Sequence, residues 1–278
     1  NSVVADRQIM ENKFFPDEAK RNTLFDETEV IKFLKGDNDL FRVHQGDEWI
    51  IPYYLAVRHN VYLTTGYDTL NLNYYNEFFK NADNYGENYG SKLLGILNVK
   101  YILSSNEINN SDFIFEKKIN ETYIYRNKEY LPRFYFVYHS KFVNSSVIEY
   151  MKTSEFNPKN EAILMEQVNF ANEQNSSYKI EVLEISPNKL KLKINSENSG
   201  FLIFSDTWYP GWKASDNNKE IEVYRINYIQ KAIFLENGEH EVEFVFKPKT
   251  FIIGKYLTVV GVLLLLLISI LLSVKRNN

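Results

Sequence analysis

The sequence predicts an α+β protein, in which a mixed α/β domain is followed by an antiparallel β-sandwich and one C-terminal transmembrane helix. Three observations lead to this fold class. Helical and strand-like segments are mixed as far as residue 175, short alternating strands with turn residues follow, and an uncharged apolar run lies near the C-terminus. Such patterns are typical of mixed, all-β and membrane-spanning segments, respectively.

Residues 23–175 form the predicted mixed domain. The run 26–34 opens with acidic residues, has apolar residues at helical spacing and is followed by Gly36, which predicts a short capped helix. Residues 53–63 indicate a strand pair or an irregular run. Further helices are predicted at 70–80 and 147–152, and strands at 40–45, 99–103, 113–117, 122–126 and 134–138.

Residues 176–249 form the predicted β-sandwich. The segments YKIEVLEIS and LKLKIN alternate polar and apolar residues around a turn at 187–189, which predicts a hairpin. Asn237 and Gly238 stand between two further alternating runs. Because Asn-Gly favours a type I′ turn, a second hairpin is predicted there. Short strands separated in this way are typical of a sandwich.

The segment from Tyr256 to Val274 carries no charged residue. At a helical rise of 1.5 Å per residue it spans about 28 Å, close to the thickness of a bilayer's hydrocarbon core. We therefore predict a transmembrane helix at 250–274, with Lys255 reaching toward the headgroups and Phe251 and Tyr256 as interfacial anchors. Residues 275–278 would be a short cytoplasmic tail, although the basic residues on both sides of the helix do not decide its orientation.

Residues 1–22 have neither the basic nor the apolar region of a signal peptide. A body outside the cytoplasm then needs an upstream membrane region to place it there. We therefore expect residues 1–22 to be a connector from that region, and the chain to be the C-terminal piece of a longer membrane protein.

Composition argues against several kinds of site. The net charge is −4 with acidic and basic residues well mixed, so no basic stripe predicts nucleic-acid binding. The sequence has no cysteine, which excludes disulfides, thiolate metal sites and a cysteine nucleophile. Its four histidines lack metal-binding spacing, and neither a glycine-rich phosphate loop nor a GxSxG motif occurs. We therefore expect no metal site within this chain.

The stretch SDTWYPGWKASDNN at 205–218 concentrates aromatic residues around a turn. Pro210 fixes φ and Gly211 permits positive φ, which suits the centre of a type II turn. Tyr209 and Trp212 flank this turn and could fill the core at one end of the sandwich. Alternatively, Trp208 or Trp212 contacts sugar or lipid, because an indole near a membrane can do either. The sequence leaves both interpretations open.

The order of motifs in this region resembles the C-terminal signature of the YfhO family of bacterial membrane proteins. That signature comprises a Tyr-Pro-Gly-Trp turn, an Asn-containing strand, a Gly-x-His-x-Val-x-Phe strand, a proline and a final transmembrane helix. The matching positions are Tyr209, Pro210, Gly211, Trp212, Asn227, Gly238, His240, Val242, Phe244, Pro248 and Gly254. Earlier blocks at 41–43, 66–79, 93–103 and 123–137 follow in the family's order. The loop at 216–218 departs from the family's usual Asp-Gly.

The resemblance implies a glycosyltransferase. The family is similar to the C-type glycosyltransferases, which take a sugar from a polyprenyl-phosphate donor at the outer face of the membrane, and some members decorate cell-envelope polymers such as lipoteichoic acid. In related enzymes the catalytic acid lies in the first outer loop between N-terminal helices that are not in this chain, so the resemblance implies no catalytic residue and no cofactor within it. The expected partners are the bilayer, the upstream helices of the same protein and a cell-envelope glycan. The alternative is a non-catalytic, membrane-anchored carbohydrate-binding or scaffold module.

Three polar residues of the mixed domain are the best candidates for contacts with a polar ligand or with the upstream helices. They are Arg42, Tyr67 and Asp68. Arginine pairs well with phosphate oxygens, and the implied donor carries phosphate.

Overall fold

The structure, a computed structural model, describes residues 26–46, 49–66, 72–83, 90–168 and 170–277. Its helices are α1 (Glu29–Lys35), α2 (Tyr53–Arg58), α3 (Asn73–Ala82), α4 (Ser91–Ile96), α5 (Val147–Lys152) and α6 (Lys249–Asn277). Its strands are β1 (Arg42–His44), β2 (Tyr62–Leu63), β3 (Val99–Ser104), β4 (Phe113–Ile119), β5 (Thr122–Asn127), β6 (Phe134–Val137), β7 (His139–Phe142), β8 (Glu161–Leu164), β9 (Tyr178–Ser186), β10 (Lys189–Ser196), β11 (Gly200–Thr207), β12 (Trp212–Asp216), β13 (Lys219–Ile221), β14 (Tyr224–Ile226), β15 (Gln230–Leu235) and β16 (Gly238–Phe246).

The chain divides into two compact units. The first contains the described residues up to Arg133 together with Met151–Ser154, and the second contains Phe134–Tyr150 and the residues from Glu155 onward.

The first unit contains a five-stranded mixed sheet with the order β2-β1-β3-β5-β4. β1 is parallel to β2 and β3, whereas β5 is antiparallel to β3 and β4. The Thr28 hydroxyl accepts a 3.3 Å hydrogen bond from the backbone N–H of Ile31, so α1 is capped as its sequence predicts. The helices α1 and α2 and the sheet share a core formed by Val30, Ile31, Leu34, Val43, Ile51, Leu55, Ala56, Tyr101, Leu103 and Ile124.

The segment 53–63 differs from its prediction as a strand pair or irregular run. It forms the helix α2 and then the two-residue strand β2. Leu55 and Ala56 of α2 are buried, whereas Val57 is exposed, so one face of the helix covers the core. The aromatic and β-branched residues here favour a strand by propensity, but packing of this face overrides that preference.

The second unit confirms the predicted β-sandwich. Its two sheets have the orders β13-β12-β16-β10-β9 and β6-β11-β15-β14-β8-β7. The inward residues of both sheets bury one core, formed by Phe134, Phe136, Tyr138, Leu190, Leu192, Ile194, Leu202, Phe204, Ala214, Ile233, Leu235, Val242 and Phe244. Alternation of buried and exposed residues along β10 and β16 is what places one side of each strand in this core.

The sandwich takes in more of the chain than residues 176–249. β6 pairs antiparallel with β11, and β8 pairs with β14 and lies parallel to β7. Phe134 and Phe136 of β6 lie in the sandwich core. The division between the units therefore falls at Arg133, earlier than the boundary at 175 that the change in composition suggests. The reason is that β6 completes an edge of the second sheet.

The hairpin predicted from YKIEVLEIS and LKLKIN is present as β9 and β10. The hairpin predicted around Asn237 and Gly238 is not, because β15 and β16 belong to different sheets. Ile233 of β15 and Phe244 of β16 both face the core, so this connection carries the chain from one sheet to the other. Positive φ angles at both turn positions occur instead at Asn217 (46°) and Asn218 (68°), between the paired strands β12 and β13.

The predicted C-terminal transmembrane segment is a continuous helix, α6. Among the described residues it is the one helix long and apolar enough to cross a bilayer, over Lys249–Val274. None of that segment is buried against the rest of the chain. Apolar side chains exposed along the whole length of a helix are stable in lipid but costly in water.

Candidate functional site

The aromatic turn connects β11 to β12 and lies against the start of the membrane helix. Gly211 has a φ of 115°. A Cβ at this position would lie 2.8 Å from Pro248 Cα, so both the backbone conformation and the close approach require glycine. The N–H of Lys247 donates a 2.7 Å hydrogen bond to the Gly211 carbonyl. Because α6 begins at Lys249, the turn is attached to the residues that lead directly into the membrane helix.

Trp212 is held by packing on several sides. Its ring lies 5.3 Å from that of Phe246 and 6.4 Å from that of Phe204. The Lys231 side chain, which is 1% exposed, places its ammonium 4.0 Å from the centre of the Trp212 ring and 4.2 Å from that of Phe204. A cation over an aromatic face is most favourable where water is excluded. These contacts support the packing interpretation of Trp212.

Of the two aromatic residues that precede Pro210, Tyr209 is exposed and Trp208 is half-buried. The backbone N–H of Trp208 donates to the Ile229 carbonyl at 2.6 Å, and its ring lies 5.8 Å from the guanidinium carbon of Arg225. Tyr209 is 44% exposed and its ring lies 6.1 Å from that of Phe246. An exposed tyrosine beside the start of a membrane helix matches the preference of this residue for the membrane–water interface.

Asn227 connects two strands of the second sheet from a fully buried position. Its side-chain oxygen accepts a 2.8 Å hydrogen bond from Ile163 N–H, and its side-chain NH₂ donates to Gln230 at 2.9 Å. Gln230 in turn accepts from the Tyr135 hydroxyl and donates to Ser205. Burial raises the pKa of Tyr135 above its ordinary value, so that the hydroxyl stays a donor. The network satisfies polar groups that would be costly if left unpaired in the core.

His240 contacts the segment that connects the two sheets as well as the end of β12. Its Nδ1 lies 2.7 Å from Asp216 Oδ2, and its Nε2 lies 2.9 Å from the carbonyl of Glu236. Asp216 ends β12, whereas Glu236 lies in the link between β15 and β16. One side chain therefore joins the β12–β13 turn to the crossover, which is a structural role for this position of the motif.

One stretch of the chain matches a known protein family. Residues 163–258 match the model of the family described as bacterial membrane protein YfhO. We call this stretch the YfhO region. No curated protein and no solved structure matches the chain. The YfhO region runs from β8 through the sandwich into the first turns of α6, so the aromatic turn, Asn227, His240 and Pro248 all lie within it. The family and the exposed apolar helix make this a membrane-associated protein.

The three candidate ligand contacts of the first unit lie outside the YfhO region. The Arg42 Nη1 donates a 2.9 Å hydrogen bond to the Leu97 carbonyl at the C-terminal end of α4. A cationic side chain at this end of a helix satisfies a carbonyl that has no partner within the helix. Tyr67 and Asp68 lie outside the described residues.

A buried polar cluster in the first unit was not predicted from the sequence. His44, which is fully buried, places Nδ1 2.8 Å from Thr64 Oγ1 and Nε2 3.2 Å from Asp83 Oδ2. His44 ends β1 and Thr64 follows β2, so both lie at the carboxyl ends of parallel strands. The residues are far apart in sequence and form no recognisable motif. The pairing of β1 with β2 brings His44 close to Thr64, and Asp83 comes from the end of α3.

A cavity of about 480 Å³ with a mixed polar and apolar lining lies at the opposite ends of these strands. Asp37 and Asp39 line it, and Lys100 Nζ lies 2.5 Å and 2.6 Å from their carboxylates. Burial opposes ionisation of Asp37, but hydrogen bonds from Lys100, the Asp39 N–H and the Tyr101 hydroxyl outweigh it and lower its pKa. Burial likewise opposes the charge of Lys100, yet the two carboxylates raise its pKa overall. Among the described residues, no group of side chains could hold a metal ion.

We predict that Gly211→Ala destabilises the sandwich more than Gly238→Ala does. Both glycines have positive φ, at 115° and 125°, so alanine strains the backbone at each. Only Gly211 also faces an atom within 3 Å, whereas nothing lies within 4 Å of a Cβ at Gly238. The extra cost should be on the order of 1–3 kcal/mol. Thermal unfolding of both variants in detergent measures it, and equal losses of stability would contradict the proposed contact.

We predict that Asp37→Asn lowers the unfolding temperature at pH 7 and that this loss shrinks toward pH 3. The pKa of Asp37 is lower in the folded protein, so its carboxylate stabilises the fold above the unfolded pKa of about 3.9. That contribution disappears as pH falls through the folded pKa. Asp39→Asn is the control, because the Asp39 side chain is 58% exposed against 19% for Asp37 and should matter less. A loss independent of pH would show that the ion pair is not responsible.

Proposed function

We propose that the chain is the extracytoplasmic C-terminal part of a polytopic membrane protein, a glycosyltransferase that uses a polyprenyl-phosphate sugar to modify cell-envelope polymers. The observation that carries the proposal is the YfhO match at residues 163–258, which continues from the sandwich into the membrane helix. A sandwich attached to such a helix can stand at the surface where a lipid-linked donor presents its sugar.

The aromatic turn supports a position at the membrane surface. Phe251 and Tyr256 are both exposed on the first turns of α6, and Lys255 lies between them. Aromatic rings and lysines at the end of a membrane helix favour the headgroup region. Tyr209, held near Pro248 by the turn, adds an exposed ring at the same end of the helix. In this proposal the lipid bilayer contacts Tyr209 and Trp208 directly.

Sugar transfer breaks the bond between the anomeric carbon and the phosphate oxygen of the donor and forms a bond to an acceptor hydroxyl. The acceptor proton must pass to a general base, and polyprenyl phosphate is the leaving group. We assign neither the base nor another catalytic group to this chain, and place them on upstream membrane helices of the same protein. The part of the transferase described here would position the acceptor glycan, with Arg42, Tyr67 and Asp68 as candidate contacts to the donor phosphate or to those helices.

The orientation can be tested by labelling single cysteines, because the sequence contains none of its own. We predict that a membrane-impermeant maleimide labels Ser111→Cys and Lys219→Cys in intact cells. Both positions are exposed, one in each unit. Asn277→Cys, beyond the apolar segment, should react only after the membrane is permeabilised. The reverse pattern would place the body in the cytoplasm and contradict the proposal.

The reaction can be tested in cells that lack the full-length protein. We predict that a sugar substituent disappears from an envelope polymer, measured by NMR of the purified polymer, and that the polyprenyl-phosphate sugar accumulates. Returning the full-length gene should restore the substituent. Unchanged polymers and donor levels would contradict the transferase and leave the carbohydrate-binding or scaffold module as the better account.

A further inference from the structure

An open groove of about 520 Å³ runs along the outer strand of the sheet in the first unit. One wall is the hairpin of β4 and β5, and the other is the loop at 107–109 that follows β3. We call it the β4 groove, defined by Glu107, Ile108, Asn109, Phe113, Phe115, Tyr123 and Tyr125. It lies outside the YfhO region and contains none of the residues discussed above as candidate site residues.

The floor of the β4 groove is aromatic. Phe115 is 55% exposed, and its ring lies 5.7 Å from that of Tyr125 and 6.4 Å from that of Tyr123. Phe113, two residues earlier on the same strand, is buried. Tyr125 is also buried and Tyr123 is half-buried, so Phe115 is the accessible ring of the floor, and water covers its apolar surface at a cost.

The rim of the β4 groove is polar and carries both donors and acceptors. The Lys118 Nζ donates a 2.9 Å hydrogen bond to the Tyr123 hydroxyl and lies 4.2 Å from the centre of its ring. The exposed Glu107 carboxylate, which lines the groove, supplies hydrogen-bond acceptors. Asn109, which is exposed, supplies an amide that can both donate and accept.

The groove is formed in advance by hydrogen bonds within the protein. The backbone N–H of Ile108 donates a 3.0 Å hydrogen bond to the Tyr125 hydroxyl, which ties the loop to the hairpin. On the far side of the hairpin, Arg126 Nε lies 2.5 Å from Glu116 Oε1 and links the two strands. A site that needs little reordering loses less affinity to conformational entropy.

We propose that the β4 groove binds a carbohydrate chain. A pyranose ring presents an apolar face of C–H groups and an edge of hydroxyls that donate and accept hydrogen bonds. The accessible Phe115 ring matches the apolar face, and the lining residues Glu107 and Asn109 match the hydroxyl edge. Convergence of a few polar groups on an aromatic surface is the usual composition of small-molecule sites.

Addition of a peptide strand to β4 is less compatible with the structure. β4 is an outer strand of its sheet, but its register shifts between Phe115 and Lys117. A bulge of this kind, followed by the consecutive lysines Lys117 and Lys118, disfavours pairing with another strand. A sugar needs no backbone pairing and is not affected by either feature.

Binding can be measured with the full chain in lipid nanodiscs, by saturation-transfer NMR and calorimetry with cellotetraose, chitotetraose and maltotetraose as probes. We predict that at least one tetrasaccharide binds with a Kd on the order of 1 mM or tighter. Phe115→Ala should weaken binding about tenfold, because a stacking surface is lost. Asn109→Ala, at an exposed loop position away from the core, should also weaken it.

Phe142→Ala is the matched control, because Phe142 is also a partly exposed phenylalanine, 38% exposed, on the outer strand β7. It should leave the affinity within about twofold of the unmodified chain. The proposal is overturned if none of the probes binds, or if binding survives both Phe115→Ala and Asn109→Ala unchanged. No sugar donor is present in this experiment, so its failure would leave the transferase proposal standing, and its success would not depend on transferase activity.

Discussion

The contact between Gly211 and Pro248 is the constraint on which the arrangement of the second unit depends. A side chain at Gly211 would meet the proline backbone at 2.8 Å, and the Gly211 carbonyl accepts the N–H of Lys247. The turn is therefore fixed to the last residues before α6. Trp212, at the first position of β12, connects the turn to the sandwich core. Its ring packs against Phe246, Phe204 and the buried Lys231. A short aromatic motif thus joins a folded domain to a membrane helix.

Much of the fold could be predicted from the sequence because local patterns determine it. Alternating residues identified β9 and β10, and an uninterrupted apolar run identified α6. Strand pairing between distant segments could not be predicted in this way. The sequence places β6 in the mixed domain because the pattern becomes purely β only after residue 175, yet the pairing of β6 with β11 places it in the sandwich. The Asn-Gly pair likewise favours a hairpin locally, but β15 and β16 face each other across the core.

The candidate site shows the same division between local and distant information. The turn around Pro210 was recognisable from its residues, whereas its contact with Pro248 depends on the pairing of β12 with β16. The buried His44 cluster and the β4 groove had no sequence signal, since each combines strands with a helix end or a loop that only the folded chain brings together. The two units thus present different surfaces. The second carries the aromatic junction to the membrane helix, and the first carries an open groove with an aromatic floor.

We infer from these contacts that the turn holds the sandwich in one orientation on the membrane helix. Electron–electron distance measurements between spin labels at Lys219→Cys and Lys255→Cys test it most directly, because the natural sequence offers no competing cysteine and both positions are exposed. In nanodiscs we expect a single narrow distance distribution, because the turn fixes the sandwich relative to α6. A broad distribution, as a flexible linker between the sandwich and α6 would give, would contradict it.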